Sequence, residues 1–195
     1  MVGEPNLPYL TQECIAQQLG ISPAAVDLSN CKTSVFHSAI ATFFAPSDTS
    51  GTRGMRRERI RSTPSWRGRE PRRDCVFIVE DTHDLGMSGM NVVLVQLFFS
   101  LFYHDVLYPI ALVDLFKKGG CDPVTGMWVV HPDTLHGICN RTVLHLDSFL
   151  CTAHLIPVYG NHELPLDFHY SYSLNAFEGY YVNKYIDHHA HEIAF

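Results

Sequence analysis

Nowhere do these 195 residues hold an apolar run able to cross a bilayer as a helix. The longest apolar stretch, residues 92–116, is interrupted by Gln96, His104, Asp105, Pro109 and Asp114, so no run of about 18 uncharged apolar residues survives. It reads instead as two buried strands joined by a turn at His104-Asp105, and no membrane partner is expected. The opening twenty residues lack a basic segment followed by an apolar one, so no signal peptide is expected and the location reads as intracellular, nuclear or cytoplasmic. No phosphate-binding or dinucleotide fingerprint occurs, and no Ser-His-Asp order with a nucleophile elbow. Neither a cofactor nor a small-molecule substrate is therefore expected. Internal repeats and low-complexity tracts are also missing. The six cysteines, Cys14, Cys31, Cys75, Cys121, Cys139 and Cys151, show no small-domain disulfide framework and read as reduced thiols, several of them buried. Without a secretory route, the sequon Asn140-Arg141-Thr142 carries no glycan.

Positive charge is scarce everywhere except in one segment. Of 14 Lys+Arg residues, nine lie between Arg53 and Arg73, all of them Arg: Arg53, Arg56, Arg57, Arg59, Arg61, Arg67, Arg69, Arg72 and Arg73. Against Glu58 and Glu70 the segment carries +7, and the remaining five bases against 18 acids give −13, which restores the net −6. A single-sign arm can meet a phosphate polymer even on an acidic molecule. Arginine suits bidentate phosphate contacts and stacking on bases, and Trp66 lies among the arginines. The other readings are a solvated loop punctuated by Gly and Pro, or an arm docked on its own acidic body. Gly51, Gly54, Pro64, Gly68 and Pro71 are expected to keep the arm out of long regular structure.

Hydrophobic residues at 46% and charged residues at 17% describe a globular chain. At this length one domain burying roughly 70% of the unfolded surface is expected. Residues 11–20 predict a helix, with Thr11 as cap, Ile15 and Leu19 on one face and Gly20 at the left-handed end. Pro23 opens a second short helix over Ala24, Ala25 and Val26. Stretches 34–44, 74–80, 91–103, 106–116, 127–131 and 142–146 are short, rich in Val, Ile, Phe, Leu and Tyr, and bounded by turn residues, as strands are. A last helix is expected from Ser173, with Leu174, Phe177, Tyr181 and Tyr185 on an aromatic face and Gly179 weakening it. The fold class is mainly β (α+β): a small β-barrel-like core with short N-terminal helices and a C-terminal helix. The divisions are a helical segment 1–33, a β-rich core 34–160 containing the arm 53–73, and a loop with the helix over 161–195.

VFHSAIATFFAPSD, GMRRERIRSTPSWRG, RRDCVFIVED, VQLFFSLFYHDVLYPIALVDLF, TGMWVVHPD, LHLDSFLCTAHLIPVYG and YYVNKYIDHHAHEIAF follow one another over residues 35–195. This ordered series resembles the C-terminal region of Plavaka-type fungal transposon proteins, among the CACTA-like DDE transposases. The resemblance implies a region downstream of an RNase-H-like catalytic core, with no chemistry assigned to it, and in a chain beginning at this Met1 that core is expected to be missing. Asp114-Leu115-Phe116 stands where the family pattern carries a tryptophan. Residues 134–142 and Cys151 also depart from the pattern, which weakens any expectation of an aromatic surface pocket.

Metal-dependent phosphoryl transfer needs converging carboxylates. Asp48, Asp74, Glu80, Asp81, Asp84, Asp105, Asp114 and Asp147 are available, but nothing in their spacing gathers three. His136-x-x-Cys139 and Cys151-x-x-His154 have paired-ligand spacing for zinc, yet the second pair leads into the apolar run of residues 155–158. His188 with His191 supplies only two ligands on one helical face. Residues 12–26 have helix-turn-helix spacing, but the second helix offers no Arg, Lys, Asn or Gln to read a base edge. The reading is a non-catalytic accessory module of a transposon-derived protein, or an orphan fragment of one. It contacts nucleic acid (DNA) indifferently to sequence, through the nine arginines and Trp66. The alternatives are a protein–protein module for transposase subunits, using Tyr181 and Tyr185, and a metal-dependent nuclease.

Overall fold

The computed structural model describes residues 4–45, 53–160, 163–164, 166–169, 173–174 and 176–194. Helix α1 spans Leu7–Leu19 and a 3-10 turn covers Pro23–Ala25. The strands are β1 Thr33–Phe36, β2 Ser38–Phe44, β3 Met55–Thr63, β4 Arg72–Arg73, β5 Cys75–Val79, β6 Met90–Tyr103 and β7 Val106–Cys121. They continue with β8 Trp128–Pro132, β9 Thr134–Leu135, β10 Ile138–Cys139, β11 Arg141–His145, β12 Phe149–Ala153, β13 Leu155–Pro157 and β14 Tyr180–Val182, before helix α2, His188–Ala194. The protein is mainly β, with a nearly closed, barrel-like sheet.

The spine is the antiparallel hairpin β6–β7, expected from its paired apolar runs. Its turn, His104-Asp105, holds both residues at positive φ (49° and 62°), the twist that suits a two-residue hairpin. Each long strand takes two neighbours in succession. On β6, β5 pairs with residues 90–94 and β1 with 98–101. On β7, β11 pairs with 110–114 and β8 with 116–121. Strands β14 and β13 extend the sheet beyond β8, and β12 closes its other end against β5. Strands β2, β3 and β4 form a second sheet, and β9–β10 a small hairpin.

Period two governs the core. Val92 and Leu94 pack in one apolar cluster with Phe43, Phe77, Phe116 and Tyr180. Val93, Val95 and Phe98 pack in another with Ile60, Val76 and Val113. Phe99 and Leu101 join Cys14, Ile15, Ile110 and Leu112 under α1. The phase changes between Val95 and Leu97, where the β6–β7 register shifts and Gln96 is the extra residue. That bulge brings residues 97, 99 and 101 onto the face that 92 and 94 occupy. Without it, the apolar set of the second half would turn to the wrong side.

Three sequence expectations are corrected. The first helix begins four residues before Thr11, after Asn6; Thr11 is interior and its hydroxyl donates to Leu7 O (2.8 Å). Pro8 fits the first turn, where a missing N–H costs nothing. Gly20 does close the helix in the left-handed region (φ 66°). The helix expected from Ser173 does not form: Tyr180–Val182 is a strand between β8 and β13. The open edges of those strands offer Tyr-Tyr-Val backbone bonds and burial that a helix of its own would not. Gly179 serves that packing, because a Cβ there would lie 3.0 Å from the His131 ring, and one at Gly119 only 2.7 Å from its Nε2. Finally, the arm expected to lack long regular structure contains β3, nine residues long. Its punctuating residues bracket the strand: Gly54 precedes it, while Pro64, Gly68 and Pro71 fall between β3 and β4. Gly51 and Asp48 lie outside the described residues.

Candidate nucleic-acid interface

Arg-rich sequence becomes a strand here because its alternation suits one. In RRERIRST, residues 56–63, Ile60 and Ser62 are buried on one face and Arg57 and Arg59 are exposed on the other. Strand β2 supplies the partner over its whole length, from Ser38↔Arg61 to Phe44↔Met55. On its opposite edge, among the described residues, β3 pairs only at Ser62 and Thr63, with β4. Residues 55–60 therefore present an open edge flanked by Arg57 and Arg59.

The β3–β4 connection folds back on itself. Trp66 N donates to Glu70 O and Arg69 N to Trp66 O (both 3.1 Å), with Arg67 and Gly68 at positive φ in the turn. This fixes Trp66 beneath three guanidinium groups: Arg61 at 4.8 Å from the ring centroid, Arg72 at 5.2 Å and Arg67 at 5.5 Å. Cation–π attraction offsets part of their mutual repulsion. Asp74 offsets more, accepting from Arg72 Nε and from Arg61 N (2.8 Å each). Arg61 Nε is buried without a hydrogen-bond partner among the described residues.

Two clefts open at this place. One, about 690 Å³, is lined by Trp66, Arg67, Arg69, Arg72 and Arg73 with Leu94 and Leu174. The other, about 590 Å³, carries Arg56, Arg57, Arg59 and Arg61 on one wall, and Cys151–Leu155 with His189 on the other. Arg72, Arg73, Asp74, Ser173 and Leu174 belong to both, so the clefts are contiguous.

The nine arginines do not play one role. Arg53, Arg57, Arg59, Arg67, Arg69 and Arg73 are exposed. Arg56 turns inward and pairs with Asp187 (3.0 Å). Arg72 pairs with Asp74, and Arg61 lies on Trp66. Glu58, inward like Arg56, accepts from Thr152 N (3.0 Å) and from its hydroxyl, tying β3 to the edge strand β12.

Sequence reasoning did not connect Asp187 and His189 with this site. Asp187 caps α2, accepting from Ala190 N (2.7 Å), while it holds Arg56. His189 is buried and stacked on Phe43, ring centroids 4.4 Å apart and planes within 18°. Neither of its ring nitrogens has a hydrogen-bond partner among the described residues. Burial lowers its pKa, and Arg56 adds to this, while Asp187, Glu192 and Glu58 oppose it. Their signal is the histidine-dense stretch 188–191, in which His188 and His191, the pair with metal-ligand spacing, are both exposed.

The fold disperses the other constellations. Among the described residues no three His, Cys, Asp or Glu side chains gather as metal ligands. His136 sits at a left-handed turn position between β9 and β10 (φ 52°), Cys151 is buried in β12, and His154 contacts the Asn183 amide (3.1 Å). Burial raises the thiol of Cys14 to about 11 and that of Cys151 to about 12, leaving both protonated at neutral pH. In place of a recognition helix there is only the 3-10 turn Pro23–Ala25, and α1 buries Cys14, Ile15 and Ala16 against the sheet. Tyr181, offered as part of a partner face, lies in β14 opposite Val129. No helix among the described residues is long and apolar enough to cross a membrane.

Comparison with family models, curated proteins and solved structures finds no match.

Proposed function

We propose that the chain is a non-catalytic accessory module of a transposon-derived protein, and that it holds nucleic acid without regard to sequence. The motif series over residues 35–195 supports the origin. One observation carries the activity: three guanidinium groups converge on Trp66, at the junction of two contiguous arginine-lined clefts. Alternate residues on a strand are about 7 Å apart, so Arg57 and Arg59 repeat at a distance close to that between successive phosphates in an extended strand. A concave site with one aromatic platform favours a single strand over a duplex, because an unpaired base can stack where a paired one cannot. For a base to reach the indole, one guanidinium must move onto a phosphate, an exchange between two attractive partners.

The test is a salt titration. If about five arginines each neutralise one phosphate, the log–log slope of affinity against salt should be near −3.5 on a single strand and −4.5 on duplex DNA. Replacing Arg57, Arg59 and Arg73 together by Ala should flatten the single-strand slope by about 2. These three are exposed, so their loss leaves the ion pairs of Arg56 and Arg72 in place. A wild-type protein that binds neither form at low salt would return the arm to a solvated surface. An oligonucleotide cut in the presence of magnesium or zinc would overturn the non-catalytic part.

A further inference from the structure

The C-terminal helix closes one side of the arginine cleft, and three contacts hold it there. Asp187 pairs with Arg56 of β3, the His189 ring stacks on Phe43 of β2, and α2 packs on the 3-10 turn Gly86–Ser88. Two of these contacts are chemically unusual. Arg56 belongs to the arginine set proposed to meet phosphate, yet it is occupied by a carboxylate of its own chain. His189 is buried and, among the described residues, neither ring nitrogen has a hydrogen-bond partner, so the place suits a neutral ring better than an imidazolium.

We propose that α2 is a pH-sensitive strap on the basic cleft: protonation of His189 undocks the helix and withdraws the Asp187 carboxylate from the arginine wall, which then attracts an anionic ligand more strongly. This rests on the nucleic-acid reading of the same site. The groups facing His189 are few. Strand β3 contributes Arg56 and Glu58, and α2 with its cap contributes Asp187 and Glu192. From β12 the cleft receives Cys151, whose raised pKa keeps it neutral. Strand β2 offers the Phe43 ring, and the turn Gly86–Ser88 has no titratable side chain.

The direction of the switch follows from linkage. Burial disfavours the charged ring, so the docked form takes up a proton less readily than the undocked form. The undocked state then binds more protons, and docking strengthens as pH rises. Docking is complete above the ordinary imidazole range, near about 6.5, and is lost as pH falls through it. The docking equilibrium should shift by about tenfold per pH unit below that value, until the docked pKa is reached. Once α2 leaves, the Asp187 carboxylate is withdrawn from Arg56, and the wall that carries Arg57 and Arg59 becomes more positive.

Hydrogen exchange on the full chain reads the strap directly, through protection factors that remove the intrinsic pH dependence of exchange. Between about pH 6.5 and 5.5 the α2 amides, Ala190 and His191 among them, should lose about tenfold in protection while the β6–β7 amides keep theirs. His189→Phe keeps the stack on Phe43 and cannot take a proton, so its α2 protection should not change with pH. If that variant folds poorly, an NMR titration of the wild-type His189 ring serves instead, since its loss of the Phe43 ring-current shift should coincide with α2 release. At fixed salt, affinity for a short oligo-dT strand should rise on acidification more in the wild type than in His189→Phe. Unchanged α2 protection in the wild type, or an equal loss in the variant, overturns the strap whatever the oligonucleotide does. Release of α2 with no oligo-dT binding at any pH overturns the nucleic-acid reading and leaves only the motion of the helix.

Discussion

Asp114→Ala should be among the most damaging single substitutions in this protein, costing about 3–5 kcal/mol of unfolding free energy. The carboxylate is buried on β7, beside the β6 bulge. Its Oδ1 accepts from Arg141 Nε of β11 (2.7 Å) and its Oδ2 from Gln96 Nε2 (2.6 Å). Gln96 O in turn accepts from the Ser62 hydroxyl (2.7 Å), and Arg141 also reaches Glu4 (3.2 Å). Removing the carboxylate leaves a partly buried guanidinium that keeps Glu4 but loses its Asp114 partner, and deprives the buried Gln96 amide of this acceptor; unsatisfied groups cost more than the bonds themselves gain. Replacing Asp114 and Arg141 together by Leu and Met should cost less than Asp114→Ala, because the guanidinium is then not left behind, although Glu4 loses its Arg141 partner. Urea unfolding with unchanged slope reads both. A loss below about 1 kcal/mol for Asp114→Ala would mean that the network is not coupled to folding.

Phe98→Ala should cost about 3–5 kcal/mol, and Leu112→Ala about 2–5 kcal/mol. The two side chains leave the same hairpin on opposite faces. Phe98 is 1% exposed, packs with Ile60, Val76 and Val113, and its ring lies 6.3 Å from that of Phe149. Leu112 is fully buried in the cluster beneath α1, with Ile15, Phe99 and Ile110. A hairpin covered on both sides must lose stability at both positions, through lost transfer free energy and the cavities left behind. Thermal or urea unfolding of the two variants checks this. A near-neutral Leu112→Ala beside a costly Phe98→Ala would show that α1 is a loose cover and not part of the core.

Much of this arrangement is legible from local pattern. The apolar runs 91–103 and 106–116, with two residues between them, fix the central hairpin, because strands that are apolar on both faces need cover on both sides. Gly20 ends the first helix for the reason the sequence supplies: a left-handed residue costs least without a Cβ. The charge segregation of residues 53–73 likewise survives into the structure as an arginine-lined cleft. Local pattern misleads where two periods coexist. Residues 174, 177, 181 and 185 have helical spacing, but their Tyr-Tyr-Val segment has a strand to join on either side. In the basic arm, composition masked the period-two alternation that places Ile60 and Ser62 inward.

The amino-acid sequence by itself determined the β-rich class, the hairpin spine, the first helix and the gathering of nine arginines in one segment. Each is a property of near neighbours along the chain: periodicity, turn chemistry or charge. Only the tertiary structure decided which arginines are exposed, which lean on Trp66, and which are held by Asp74 and Asp187. It alone placed His189 on Phe43, 146 residues earlier in the chain, and joined Gln96, Asp114, Arg141 and Glu4. Those partners come from strands and termini distant in sequence, and their distances are set by sheet register and by the bulge in β6, which no local pattern encodes.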